Sequence, residues 1–549
     1  MWQSSRVLVL ALTSFLGLSA VSAGPSFRGG HGDVARRLAS ASSLRLHFTI
    51  KRDSMYINGA SEFDVFANPV LSENNSIAFN GQATFVDGTT VQKYLLVDGV
   101  TYSVAQSSPY GVVSETVSCL PATVTTPLQE LVGAINTATP VVNVLAVDEQ
   151  VSCEVGSAYK ITFGGETYAL CAAKQASGAG FKIIGSDLDI EAFYLSEPVS
   201  ITAPSVDAAV ASSCEKVVTT TVMTAATEAL LTGSAAATSA ASAASANSTR
   251  SLAQNAEEAT VTISASSCAC KGKMRPCIFI HGLGLTDNSG LSDTTTYFGD
   301  IAKHAPCCSS VKFAHLNTVD YPWTSATQQQ KVCDMAISMS STSSASTKTI
   351  DNTIIVAHSM GNLLLGGAIA NGKCKLSSTS SWVALSGPMK GSMGSDYLQN
   401  ACSGNSNGFV EAVANLIGRC PANPATVSLA YQGEAYASSA LNAAYAAAQT
   451  AFQTYVSAAM CSNSFNGLIS LDQPVYALGG TVINHKSKEN DGIVEYLSCA
   501  GGLSPSKFSN MYTGPFYVTK LNHMDTTFRH GDAVIDNAKK PVKWFECLL

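Results

Sequence analysis

Charge is what this chain has least of. Only 13% of its 549 residues are Asp, Glu, Lys or Arg, about half the usual fraction of about 25% in soluble proteins, while 46% are hydrophobic. That balance excludes an intrinsically disordered chain, which needs low hydrophobicity and high charge. There is no basic excess either: 32 Lys and Arg stand against 39 Asp and Glu, a net charge of −7, so nucleic acid is excluded as a partner. Long apolar runs are missing. The stretch from Val7 to Leu18 falls short of the ~20 residues that a membrane span needs. No C-x₂-C pair and no His cluster completes a tetrahedral metal set, and neither a Walker sequence nor a full G-x-G-x-x-G occurs, so no metal or cofactor is expected. The polar surface must come from Ser, Thr, Asn and Gly.

What is present points to the outside of a cell. Arg6, the short apolar run after it and Ala20-Val21-Ser22-Ala23 form a positive start, an h-region and a small-residue cleavage site. We read residues 1–23 as a signal peptide and the chain as secreted and extracellular. The end, Trp544 to Leu549, is too short for a lipid-anchor signal. Of 16 cysteines, four lie at 119, 153, 171 and 214 and twelve between Cys268 and Cys547. Both groups are even, as disulfides formed within each region of an oxidising compartment require. Sequons at Asn74 and Asn247 suit a glycoprotein.

Composition divides the chain. Residues 219–267 are dominated by Ala, Ser and Thr, with no aromatic residue. Such a segment cannot bury a core and reads as a linker, or as a helical spacer in its first half. Before it, residues 24–218 alternate apolar and polar positions, as in LRLHFTIKR and KYLLVDGVTYSVA, with Asp87-Gly88, Asp98-Gly99 and Gly164-Gly165 as turns. This is the pattern of hairpins, so a β-rich antiparallel domain is expected, crossed by one helix at Pro127–Ala138. It carries no catalytic constellation; a binding module or a pro-region is the default reading.

From Cys268 the pattern changes to strand, loop and helix in turn, the signature of an α/β fold with a parallel sheet and helices on both faces. The apolar run 277–280 enters His281-Gly282-Leu283-Gly284, a helix is expected near Thr294–His304, and the strand 353–357 enters His358-Ser359-Met360-Gly361 ahead of LLLGGAIANG. A serine between a β-branched strand and a helix sits in the context of a nucleophile elbow, whose tight turn demands small neighbours. Here Ala357 stands where the first glycine is usual. A serine nucleophile needs a base, an orienting acid and donors for an oxyanion. The N–H groups of Leu283 and Met360 are placed for the last role, although HGLG also suits an ordinary Gly-rich turn. Downstream, a strand read at Pro474–Gly479 leads to Asp491, and Phe516–Leu521 leads to His523. Asp525 and Asp472 are rival acids; His530 and His485 are rival bases. His281 reads as a structural histidine, and His358 points away from the turn.

In their order, RPCIFIHGLG, IIVAHSMGN, WVALSGPMKGS, ENDGIVEYLS and LNHMDTTF resemble the lipase branch of the α/β-hydrolase superfamily. The resemblance spans about half the chain and implies Ser359 as nucleophile, Asp491 as acid, His523 as base, and Leu283 and Met360 as oxyanion donors. No acidic cluster matches the calcium site of some members. Residues 392–470, including ALNAAYAAAQTAFQTYVSAAM, are expected to form a helical cap over the site, with extra packing helices as the alternative. A capped site favours acylglycerols or other long-acyl esters, met at a lipid–water interface. A thioesterase, a polyester hydrolase, a lipid-glycan deacylase and an inactive binding fold are the other readings.

Overall fold

The computed structural model describes residues 43–549 except 58, 72–76, 88–89, 108–113, 121–125, 148–150, 152, 155–156, 207–210, 212–213, 217–221, 233–259, 405–417 and 471. The expected signal peptide, Asn74, Asn247 and most of the expected linker lie outside the described residues. Two compact units emerge, one running to Ser266 and including Val534–Asp536, the other comprising Ser267–Ala533 and Asn537–Leu549.

The N-terminal unit is an eleven-stranded antiparallel sheet in which strands adjacent in sequence are mostly adjacent in space. Ser43–Ile50 lies in its middle, paired with Glu62–Leu71 on one side and Leu188–Leu195 on the other. Its burial alternates, so that Leu44, Leu46, Phe48 and Ile50 face one way, as side chains on a pleated strand must. On that face an aromatic row crosses four strands. Phe48 stacks on Phe63 with centroids 5.0 Å apart, Phe63 lies 5.2 Å from Phe85, and Phe85 lies 5.8 Å from Tyr94. Cross-strand pairs of this kind set register as well as stability. The helix Thr126–Asn136 falls close to its expected position. Part of the expected linker is ordered into this unit: Ala225–Thr232 is helical, and Thr260–Ile263 pairs in parallel with Asn143–Ala146. Val261 and Ile263 then bury against Ala158, Ala169 and Ile184.

The C-terminal unit is built on a seven-stranded sheet. Its order is Gly290–Ser292, Cys308–His315, Arg275–Ile280, Ile354–His358, Ser381–Leu385, Val456–Ser462 and Phe516–Thr519. Every neighbouring pair is parallel except the edge pair that Gly290–Ser292 makes with Cys308–His315. Alternate residues feed two cores. Ile278, Ile280, Ile355, Ala357, Trp382 and Ala384 join the helices Ala326–Ser338, Met360–Ala370 and Ser439–Tyr455 on one face. Cys277, Phe279, Ile354, Val356, Val383 and Leu385 join Phe298, Ile301, Trp544 and Phe545 on the other. Burial on both faces is why these strands read as continuous apolar runs. Strand order reverses direction at Arg275–Ile280, and the crevice beyond the carboxyl ends at such a reversal is where open α/β sheets place ligands.

Three expected elements differ. Residues 474–479 belong to the helix Gln473–Val482, with Pro474 in its first turn, where a proline is tolerated and its fixed φ suits the helix. The strand beside Ser381–Leu385 is instead Val456–Ser462, taken from the tail of the expected cap. The segment 294–304 forms turns and a short 3-10 helix at Ile301–His304. The long helix Ser439–Tyr455 is no cap: Tyr445, Ala448 and Phe452 are buried against Met360–Ala370 and Trp382 in the sheet's own core. All 16 cysteines pair at disulfide distance, each within its own unit, among them Cys119–Cys214, Cys153–Cys171 and Cys268–Cys547. No helix among the described residues is long and apolar enough to cross a membrane.

Candidate active site

Ser359 caps the helix Met360–Ala370 directly after the strand Ile354–His358, with φ 51° and ψ −128°. A non-glycine residue at positive φ is strained, and such strain persists only where its surroundings enforce it. Here they do: Ser359 N–H donates to Leu385 O at 2.9 Å, and Asn362 N–H donates to Ser359 O at 3.0 Å. The turn needs small residues because the helix starts against the first strand. A Cβ on Gly361 would lie 2.7 Å from His281 O and 2.9 Å from Ile280 O.

Ser359, His523 and Asp491 are far apart in sequence and meet in space. His523 Nε2 lies 2.9 Å from Ser359 Oγ, and its Nδ1 lies 2.7 Å from Asp491 Oδ2. All three are buried. The second oxygen of Asp491 accepts N–H bonds from Ile493 at 3.0 Å and Val494 at 2.7 Å, and His523 N–H donates to Asp491 O at 2.8 Å. These bonds aim the carboxylate at the ring. A carboxylate on Nδ1 selects the tautomer that leaves Nε2 as an acceptor toward the serine hydroxyl. Gly492, at φ +97°, lets the acid loop press on the helix Gln473–Val482, where a Cβ would come 2.6 Å from Tyr476 O.

The expected oxyanion residues lie on either side of the serine. Met360 opens the helix, so its N–H has no intrahelical acceptor; Leu283 lines the cavity with Ser359 and His523. The HGLG turn is held rigidly. His281 Nδ1 bonds Gly282 O at 2.8 Å, its Nε2 accepts Leu316 N–H at 3.1 Å, and Thr318 Oγ1 donates to Gly282 O at 2.8 Å. Burial pushes the His281 imidazole down to about 4, so it is a neutral brace.

Sequence reasoning missed Tyr297. Its hydroxyl accepts Gly282 N–H at 3.0 Å and lies 2.7 Å from His358 Nδ1, while His358 Nε2 lies 3.1 Å from His523 O. His358, next to Ser359, thus joins the HGLG turn to the loop bearing His523, and burial holds its pKa well below that of an ordinary histidine. No local pattern marks a tyrosine for this contact. The rival residues are engaged elsewhere: Asp525 and Asp472 both bond His530, and His485 Nδ1 bonds Glu495 at 2.8 Å.

The cavity before the serine measures about 260 Å³. Its lining includes apolar side chains from Leu283, Pro388, Leu429, Ile493, Val494 and Met524, together with the polar Ser392, Ser395, Asn423 and Thr426. Of the expected cap, Ser392, Ser395, Gly418, Asn423, Thr426 and Leu429 line this cavity. Among the described residues, no group of three or more His, Cys, Asp or Glu is placed to hold a metal ion.

No family profile and no curated protein matches the chain. Among solved structures it is similar to a metagenomic carboxyl esterase, with 13% identity over 51% of this chain and 75% of that one and a TM-score of 0.28. A lipase-esterase related protein from Clostridium acetobutylicum has 14% identity over 36% and 76%, at 0.21. An N-formylmaleamic acid deformylase from Pseudomonas putida has 14% over 38% and 81%, at 0.16. At such scores these likenesses carry no weight for function, and the chemistry rests on the side chains themselves.

Proposed function

We propose that the C-terminal unit is a serine hydrolase of carboxylic esters, secreted as the signal-like start and paired cysteines suggest. The observation that carries this reading is the unbroken chain from Ser359 through His523 to Asp491, at 2.9 and 2.7 Å, with the serine in a strained turn at the mouth of a cavity. His523 takes the Ser359 proton as the oxygen attacks the ester carbonyl. The N–H groups of Leu283 and Met360 receive the charge on the oxyanion. His523 then protonates the leaving alcohol, and in the second half it activates water to release the acid from Ser359. Asp491 steadies the imidazolium formed in each half.

The finer reading is a lipase acting on acylglycerols, supported by the apolar residues among the cavity's lining. The hydroxyl and amide groups in the same lining favour a second reading, in which short or oxygenated acyl groups are preferred. A panel from short nitrophenyl esters to emulsified triacylglycerol separates the two, and thioesters and polyesters added to it separate the neighbouring chemistries. Labelling by a fluorophosphonate tests the core claim: wild-type protein should label and Ser359→Ala should not. Undiminished ester hydrolysis by Ser359→Ala would sink the assignment.

A further inference from the structure

A buried histidine that takes no direct part in this chemistry is built into its frame. His530 is 7% exposed. Its Nδ1 lies 2.7 Å from Asp525 Oδ1 and its Nε2 lies 3.2 Å from Asp472 Oδ2. Both ring nitrogens therefore face carboxylate oxygens, and both can donate only in the imidazolium form. Among the described residues, the other charged side chain bonded to the two carboxylates is Arg529, 3.5 Å from Asp472 Oδ2, so two carboxylates face two cations. The two carboxylates hold His530 above an ordinary histidine's pKa although burial works against them.

The anchored parts are those that set the candidate site. Asp525 uses its other oxygen to accept N–H bonds from Leu468 at 2.6 Å and Asn522 at 3.3 Å. Asn522 Oδ1 in turn accepts N–H bonds from Met524 at 3.0 Å and Asp525 at 2.9 Å. This closes the turn that carries His523. Asp472, the other anchor, stands at the start of the helix Gln473–Val482, whose Tyr476 backs the acid loop at Gly492 and lines the cavity. One imidazolium thus ties the base turn to the helix behind the acid.

We propose that His530 is a positioning residue of the site: as a cation between Asp472 and Asp525 it fixes the turn bearing His523, and loss of its proton sets an alkaline limit on the reactivity of Ser359. The proposal rests on the ester-hydrolase reading. The sign follows from linkage. A histidine whose pKa is raised by folding stabilises the fold below its unfolded pKa, and that contribution is lost as pH rises through the folded one. Reactivity should then fall as pH rises and His530 loses its proton.

The test is the rate of fluorophosphonate labelling of Ser359 against pH, with ester kcat and KM, in wild type, His530→Gln and Asp472→Asn. His530→Gln should lower kcat about 10²-fold, the scale of an ångström of misplacement, with KM little changed and the alkaline limb gone. Asp472→Asn keeps the Asp525 contact, so its limb should remain but move to lower pH; it carries the test if His530→Gln does not fold. Wild-type rates and an unmoved alkaline limb in the variants overturn the proposal while leaving the ester-hydrolase reading intact. A wild-type Ser359 that labels at no pH overturns both.

Discussion

The two sheets bury their apolar residues by different rules, and the difference accounts for where chemistry can sit. In the eleven-stranded sheet Ser43–Ile50 alternates buried and half-buried positions, so polar groups can be placed anywhere along a strand. Its buried charges are settled by pairing within the fold: Arg52 bonds Ser266 O, and Asp189 meets Lys51 and Lys182. In the seven-stranded sheet the three central strands, Arg275–Ile280, Ile354–His358 and Ser381–Leu385, are covered on both faces, and Ile354–His358 is buried at every position. In these central strands the polar residues stand only at the ends, at Arg275, His358 and Ser381. His281, Ser359 and Ser386 follow three strands, and Thr519 ends a fourth shortly before His523; all are buried. Strands covered on both faces push their polar groups to the strand ends, and the carboxyl ends here bring a serine and a histidine together.

Four expected outcomes test that contrast, in falling order of effect. Ser359→Ala should lower kcat about 10⁴–10⁶-fold and leave the melting of both units unchanged; steady-state kinetics with calorimetry checks this. Phe63→Ala removes the middle of the aromatic row and should cost about 3–5 kcal/mol. The loss should show in denaturant unfolding of the N-terminal unit, with kcat at 25 °C intact, and a parallel fall in kcat would break the contrast. Gly282→Ala would set a Cβ 2.6 Å from Ser359 Cβ and 2.8 Å from the Tyr297 hydroxyl. Displacement of the oxyanion turn should slow ester cleavage about 10²-fold, measurable as kcat/KM, with unfolding midpoints little moved. Smallest is Ser438→Ala. It removes the cap that accepts Leu441 N–H at the start of Ser439–Tyr455 and should cost about 1 kcal/mol with no kinetic effect, because that helix is packing and not lid.

Much of the frame was legible because it is local. The elbow at Ser359 is a strand, a turn and a helix within twenty residues, and alternation in the N-terminal half follows from the pleat. The errors share a cause as well. Residues 474–479 are a short apolar run, which periodicity alone cannot assign to strand or helix, and Pro474 was the overlooked sign of a helix start. Val456–Ser462 was absorbed into the preceding alanine-rich pattern because neither Gly nor Pro separates them. Tyr297 carried no signal, and His530 stood out only as a rival base: each is joined to partners distant in sequence or to a turn that only the folded chain closes.

By itself the sequence determined the two architectures and the loops on which a serine, an acid and a base could stand, since hydrophobic period and turn chemistry are properties of neighbouring residues. The tertiary structure decided which carboxylate faces which imidazole. Asp491, Asp472 and Asp525 are chemically alike, and a hydrogen bond of 2.7 Å is chosen by the relative placement of strands and helices, which no short stretch of chain encodes. The eight cysteine pairs and the His530 bridge were settled in the same way, by distances that exist only once both cores are packed.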